Sequence, residues 1–194
     1  MRSGKPIVLA ALTGVAGAAL LAVVLPGRLL PRIAHGLLHL PGPGSGVTVF
    51  GSLVALIGLL TFRWCRRPAA VLVCGMVLGV VHSVVMPVLF PSARTVGTVG
   101  PLPLRVLAVW VLGAVLAWTV RLTRRRGRAL RYVVPAACAN VAFLLFYWAA
   151  IYPAVGKRSA SAGAAVVLLL ASVAAGIILG GCPPALLDRG PREG

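Results

Sequence analysis

The sequence predicts an all-α integral membrane protein, a bundle of six transmembrane helices. Of its 194 residues, 60% are hydrophobic, and the mean hydropathy is +1.02. A soluble core of this size cannot bury that much apolar surface. Apolar runs of about 20 residues, long enough to span hydrocarbon as a helix, recur along the chain. The short alternating segments that are typical of a membrane β-barrel do not occur in the sequence.

The apolar runs predict six spans within one domain. The spans are residues 6–25, 47–63, 68–90, 103–121, 131–152 and 161–181. The domain covers residues 1–182. Two prolines follow Cys182, and we expect residues 183–194 to form a mobile tail.

The basic residues predict the orientation. The chain has 19 Lys and Arg against 2 acidic residues, a formal charge of +17. In a soluble protein this excess would suggest a nucleic-acid partner, but here the cations lie in short loops, where they set topology. Most of them fall on the side of the N-terminus. We therefore expect a multi-pass protein of the cell membrane with both termini cytoplasmic, no nucleic-acid partner, and a loop at 121–131 that lies on anionic lipid headgroups.

The first external loop, residues 26–46, interrupts the apolar pattern. Its prolines and glycines prevent one continuous helix. Its middle, residues 29–40, is amphipathic and carries His35 and His39 on one helical face. We expect a short amphipathic helix that forms a lid over an outward-facing pocket. The alternative is an interfacial helix that only shields the ends of the spans.

Span 1 carries a small residue at every fourth position. The row is Ala10, Gly14, Ala18 and Ala22. Such a row lets another helix approach closely, which is how helices associate in lipid. Two interpretations remain open: packing inside this bundle, or a docking face for another subunit.

Polar and aromatic residues in the spans predict a pocket in the outer half of the bundle. They are His82 in span 3, Trp110 in span 4, and Asn140, Tyr147 and Trp148 in span 5. A polar group at such depth is costly unless it faces the bundle or a cavity. Together with His35 and His39, these residues would supply stacking surfaces and hydrogen bonds for a small molecule.

Several of these residues also have a purely structural interpretation. His82 would then bond to a neighbouring backbone carbonyl, and Asn140 would bond to another helix. Trp148 and Tyr152 would belong to the interfacial aromatic belt.

The sequence argues against catalysis and against a bound metal or other cofactor. No carboxylate lies in a predicted span, which disfavours an ion-coupled carrier. His35 and His39 have the spacing of two metal ligands, but no third ligand is near in sequence. Ser45 lies between two glycines, without a nucleophile-elbow pattern around it. An intramembrane enzyme that uses His and Ser remains one alternative function.

Two local stretches and the overall plan resemble a known family. Ala18-x-x-x-Ala22 is similar to an AxxxA-type docking motif, and Arg66-Arg67-Pro68-Ala69-Ala70 resembles an RKPGAA-like run whose glycine this chain lacks. With its length, six helices and long first external loop, the chain resembles the substrate-binding S component of an energy-coupling factor (ECF) vitamin transporter.

The resemblance implies a binding subunit without catalysis. It would capture a vitamin-like heteroaromatic molecule from outside, and the first external loop would close over it. The subunit would then dock onto a transmembrane T subunit that is powered by two ATPases. The alternative is a small multi-pass membrane protein with a structural or regulatory role, which binds a partner and transports no ligand.

Overall fold

Among the residues that the structure describes, six helices are long and apolar enough to cross a membrane, which confirms the predicted class. The computed structural model describes residues 4–24, 36, 45–89, 100–156 and 161–188, and every regular element in these ranges is helical. Most of the lid-like segment 26–46 and the last part of the tail lie outside the described residues. The cytoplasmic position of the termini stays a prediction.

The helices begin and end within a few residues of the predicted spans, and three of them contain a π-helical segment. They are α1 (Lys5–Val24), α2 (Ser45–Cys65), α3 (Pro68–Val80, π segment Val81–Val85, Met86–Leu89), α4 (Leu102–Thr123), α5 (Arg128–Phe146, π segment Tyr147–Ile151, Tyr152–Ala154) and α6 (Ala162–Ala175, π segment Gly176–Gly181, Cys182–Leu187).

Successive helices run in opposite directions, so the bundle has two distinct ends. We call the end with Lys5, Arg66 and Leu187 the basic end, and the opposite one the far end. The central helix is α2, since it contacts each of the other five. Of its span, 72% is buried, against 17% for the span of α6.

Small residues bring several helices to backbone contact. A Cβ atom added to Gly75 of α3 would lie 3.0 Å from the Cα of Gly113 in α4. A Cβ added to Gly176 of α6 would lie 2.8 Å from the carbonyl oxygen of Ala136 in α5. In lipid, no hydrophobic force drives helices together. Helix pairs are therefore stabilised by the van der Waals contact that such close approach provides.

The small-residue row of α1 lies inside the bundle. Ala10 and Ala18 are fully buried, and Ala22 is 4% exposed. A Cβ at Gly14 would lie 2.7 Å from the carbonyl oxygen of Cys74 in α3. The four residues thus pack against the rest of this chain, which is the first of the two interpretations. Docking of another subunit on this row stays a prediction, and it would require α1 to separate from α3.

Each π-helical segment of α3, α5 and α6 ends two residues before a proline, namely Pro87, Pro153 and Pro183. Proline has no N–H group, so the carbonyl four residues earlier loses its donor. A π turn moves the preceding donors to carbonyls five residues earlier. In α5, for example, the N–H of Tyr152 donates to the carbonyl of Tyr147. The helices therefore continue past their prolines instead of ending.

The last helix extends beyond its predicted end. Residues 182–187 are helical, although we expected a mobile tail from residue 183, and Asp188 is only 6% exposed. Pro183 and Pro184 follow directly on the π turn of α6, which accommodates their missing N–H groups within a continuous helix. The predicted remainder of the tail, residues 189–194, lies outside the described residues.

The Asp188 carboxylate connects three parts of the basic end. Both terminal nitrogens of the Arg66 guanidinium donate to it, at 2.7 and 3.3 Å, and the Tyr132 hydroxyl donates at 2.8 Å. The guanidinium of Arg131 approaches to 3.9 Å. One carboxylate thus joins the end of α6 to the α2–α3 turn and to the start of α5.

The α2–α3 turn depends on this carboxylate. Arg66 has a φ of 54°, a left-handed conformation that costs energy for a residue with a Cβ. Burial by itself would raise the pKa of Asp188, but the hydrogen bonds from Arg66 and Tyr132, with the charges of Arg66 and Arg131, lower it below 3.8. These contacts offset the strain of the turn.

Replacing Asp188 by Asn removes the charge that Arg66 and Tyr132 bind. We expect Asp188→Asn to lower the unfolding free energy by about 2 kcal/mol, measured as a fall in the thermal midpoint in mild detergent. Tyr132→Phe removes one of the hydrogen bonds and should cost about half as much. Arg125→Gln, in the exposed α4–α5 turn, is the control. Equal midpoints for Asp188→Asn and this control would contradict the role of the carboxylate.

The same carboxylate predicts a pH dependence of stability. Because the pKa of Asp188 is lower in the folded protein than the usual 3.8, its contribution is complete above that value. The contribution is lost as the pH falls through the folded pKa. The thermal midpoint of the parent should therefore drop in this acid range, and Asp188→Asn should remove the drop. Glu193→Gln, at the other acidic residue of the sequence, should keep the drop, and a profile unchanged by Asp188→Asn would contradict the assignment.

Candidate functional site

A row of aromatic side chains crosses the interior toward the far end. Its ring centroids are 5.0 Å apart from His82 to Phe50, 5.9 Å from Phe50 to Phe143, and 4.9 Å from Phe143 to Tyr147. Tyr152 follows at 6.1 Å from Tyr147, in an edge contact. At 6% exposure, Tyr152 belongs to this row and does not face the interfacial belt. The row brings together two predicted site residues, His82 and Tyr147, on different helices.

Two members of the row, His82 and Tyr147, lie in π-helical segments. His82 belongs to the π segment of α3, and Tyr147 begins the one of α5. Pro87 and Pro153 produce these segments, so both helices are locally wide at the far end. Such π turns are frequent at functional sites because they change the direction of side chains within an otherwise regular helix.

His82 is anchored to α1. Its imidazole is fully buried and hydrogen-bonds to the backbone of Ala18. The methyl side chain of Ala18 leaves room for the ring. This is the structural alternative considered for His82, a histidine bonded to a neighbouring backbone group. The histidine ring nevertheless stays in contact with the aromatic row through Phe50.

Arg105, in the first turn of α4, is part of the same region. Its charge acts on both His82 and Tyr147. Our sequence interpretation counted Arg105 among the loop cations and did not include it in the site. Its position three residues inside an apolar helix, Leu102–Thr123, was the available signal, because an ionisable residue within a span is costly.

Asn140 joins three helices in the middle of the bundle. Its amide nitrogen donates to the Ser52 hydroxyl of α2 at 2.8 Å and to the Ser172 carbonyl of α6 at 2.9 Å. The hydroxyls of Thr48 and Ser172 are 3.0 Å apart. Asn140 therefore bonds to other helices of the bundle, which is the structural interpretation given for this residue from the sequence.

Among the buried polar atoms without a hydrogen bond from the described residues are the Ser83 hydroxyl, the indole nitrogen of Trp148 and the amide oxygen of Asn140. Leaving such an atom unsatisfied costs about 1–3 kcal/mol. Ser83 and Trp148 lie directly beside His82 and Tyr147 in the two π segments. Hydrogen-bonding capacity is thus available next to two members of the aromatic row.

Trp110 is occupied in helix packing. Its indole N–H donates to the carbonyl of Met76 in α3 at 3.1 Å. Its ring lies over Gly79, where an added Cβ would come 3.1 Å from a ring carbon. The structure therefore uses Trp110 to join α4 to α3 and does not place it in the aromatic row.

The two remaining predicted site residues, His35 and His39, lie outside the described residues. The lid expected of residues 26–46 stays a prediction for the same reason. Among the residues that the structure does describe, no three His, Cys, Asp or Glu side chains form a group that could hold a metal ion.

Comparison with models of protein families, with curated proteins and with solved structures finds no match for this chain.

Gly51 offers a test of the packing around Asn140. An alanine there would place its Cβ against the amide oxygen of Asn140 and 2.8 Å from the Phe143 ring. We expect Gly51→Ala to lower the unfolding free energy by about 1–3 kcal/mol, measured by thermal unfolding in detergent. The matched control is Gly163→Ala in α6, where nothing lies within 4 Å. Because alanine favours a helix over glycine, the control should be neutral or slightly stabilising; a Gly51→Ala midpoint at or above the parent would refute this packing.

Proposed function

We propose that the chain is the membrane-embedded substrate-binding subunit of an ECF-type importer, and that it binds a vitamin-like heteroaromatic molecule at the far end of the bundle. One observation carries the proposal. Two π-helical segments on different helices are joined by a row of aromatic side chains, with unsatisfied buried polar atoms on Ser83 and Trp148 beside the row.

The side chains of this region favour one class of ligand. Aromatic faces favour a flat ring system, which stacks with little loss of conformational freedom. The indole N–H of Trp148 requires an acceptor, and the Ser83 hydroxyl can donate or accept. A heterocycle with ring nitrogens or carbonyl groups satisfies both. Asp188 lies at the opposite end in its ion pair, so a cationic ligand would depend on cation–π contacts.

The energy for import would come from partner subunits. The sequence has no phosphate-binding loop, so ATP would be hydrolysed by a pair of ATPases, coupled through a transmembrane T subunit. The outward face of α1 suits such a partner, since Ile7 and Val8 on it are each more than half exposed. Contact through this face would leave the buried row of Ala10, Gly14, Ala18 and Ala22 in place.

The second candidate is a structural or regulatory membrane protein without a ligand. The observation that favours it is the close packing of the aromatic row, in which Phe143 is fully buried and Tyr147 is 1% exposed. On this alternative the rings fill the far end as a hydrophobic core. Partner binding through the outer helix faces would then be the whole function.

A bound ligand separates the two candidates. We expect the protein purified in mild detergent to carry a heteroaromatic small molecule, detected by mass spectrometry after denaturation. A panel of B vitamins should include at least one compound that raises the thermal midpoint, because a ligand that binds only the folded state stabilises it. Empty preparations with no shift across the panel would favour the second candidate.

Substitutions at the two polar residues locate the site. Ser83→Ala and Trp148→Phe each remove hydrogen-bonding capacity while keeping most of the side-chain volume. We expect each to weaken binding of the identified ligand roughly tenfold, measured by isothermal calorimetry. Trp118→Phe is the control, because Trp118 is 62% exposed on the outer surface of α4. Equal affinities for all three variants would place the ligand elsewhere.

A further inference from the structure

A groove with a volume of about 380 Å³ lies between α1 and α2 on the outer surface of the bundle. Leu12 and Leu20 of α1 form one rim, and Leu60 and Trp64 of α2 form the other. The side chains of Leu12, Leu20 and Trp64 are each more than half exposed. The groove therefore opens toward the surroundings of the protein, which in a membrane are lipid tails.

Gly17 explains why the groove exists. It is the contact point of the two helices, and an added Cβ would lie 2.9 Å from Ile57 of α2. Because Gly17 has no side chain and Ala16 beside it has only a methyl group, few side-chain atoms occupy the space between the two rims. Between Leu12 and Leu20 the groove follows about 12 Å of α1, at a rise of 1.5 Å per residue.

The lining accepts hydrocarbon and little else. Its one hydroxyl, on Thr13, donates to the carbonyl of Leu9 in the same helix at 2.7 Å. The other lining groups are aliphatic, apart from the Trp64 indole at one end. An occupant with polar groups along its length would lose hydrogen bonds to water and gain none here. An acyl chain loses nothing by entering.

Cations lie where the groove meets the basic end. The Cys65 thiol lies 3.5 Å from the carbonyl oxygen of Pro6, so the end of α2 adjoins the start of α1. Lys5 precedes this contact, and the charge of Arg67 acts on Cys65. Both cations are exposed. Trp64 precedes Cys65 in the last turn of α2 and lines this end of the groove, in the position that tryptophan favours at a membrane–water interface.

We propose that this groove binds one acyl chain of an anionic phospholipid, whose phosphate lies between Lys5 and Arg67. The apolar floor selects hydrocarbon, and the two cations select a negatively charged headgroup over a zwitterionic one. Two features distinguish this site from the general lipid-facing surface. The two cations complement a negatively charged headgroup, and Trp64 lies at the basic end of the groove. The inference is independent of the far-end ligand, because the groove lies on the outer surface and shares no residue with the aromatic row.

Fluorescence quenching of Trp64 tests the proposal directly. The protein carrying Trp118→Phe is reconstituted in phosphatidylcholine bilayers with increasing brominated phosphatidylglycerol, or with brominated phosphatidylcholine. The Trp64 signal is the difference between this protein and a variant that also carries Trp64→Phe. We expect half-quenching at about a 25-fold lower fraction of the anionic lipid, since each of the two cations contributes about a fivefold preference.

Two pairs of variants complete the test. Lys5→Gln with Arg67→Gln should abolish the preference for the anionic lipid, while Arg125→Gln with Arg126→Gln in the exposed α4–α5 turn should preserve it. Ala16→Phe fills the groove and should reduce quenching by both lipids. Val15→Phe, on an exposed position of α1 outside the lining, should leave quenching unchanged.

Three results would overturn the proposal. The first is equal quenching of Trp64 by the two brominated lipids in the parent, which would indicate ordinary surrounding lipid. The second is a preference that survives the loss of both cations, which would place the anionic headgroup elsewhere. The third is quenching that Ala16→Phe and Val15→Phe reduce equally, which would separate the signal from the groove. A variant that fails to insert is recognised by its lost thermal transition and is replaced by Ala16→Leu, for which the same outcomes apply.

Discussion

The bundle depends on close approach between helices, because hydrocarbon surroundings provide no hydrophobic force to hold them together. Glycine and alanine lie at the points where that approach is tightest. Gly75 meets Gly113 between α3 and α4, and a Cβ at Gly181 would lie 2.6 Å from Val133 of α5. The same contacts fix the depth at which each helix stands relative to its neighbours. Large aromatic residues of α2 and α5 can then meet in the interior at defined distances, since the small residues elsewhere set the spacing.

Two prolines, Pro87 and Pro153, change the backbone hydrogen bonding at the far end of the bundle. In lipid every backbone polar group needs a partner within the protein. The π segments before Pro87 and Pro153 meet this requirement while letting both helices run on to the surface. They also place His82, Ser83, Tyr147 and Trp148 on helix turns that are wider than the rest. The polar and aromatic residues of the far end thus lie in the π-helical turns of α3 and α5.

The sequence was sufficient to predict the class and the six spans, because apolar length alone determines them. It also located His82 and Tyr147, which are unusual for their surroundings. Phe50 and Phe143, which connect these two, carried no signal, since a phenylalanine in an apolar span is ordinary. The small-residue row of α1 was predicted, but its contact with α3 was not, because the spacing of small residues does not reveal which helix packs against them. Asp188 was assigned to a tail, because no local pattern identifies a partner as distant as Arg66.

That ion pair has a consequence for the assembly of the protein during synthesis. Arg66 and Asp188 are 122 positions apart, so the turn between α2 and α3 is made long before its carboxylate emerges from the ribosome. Until α6 inserts, the strained backbone at Arg66 has no restraint from the other end of the chain. The contact therefore distinguishes a completed bundle from one whose final helix is missing.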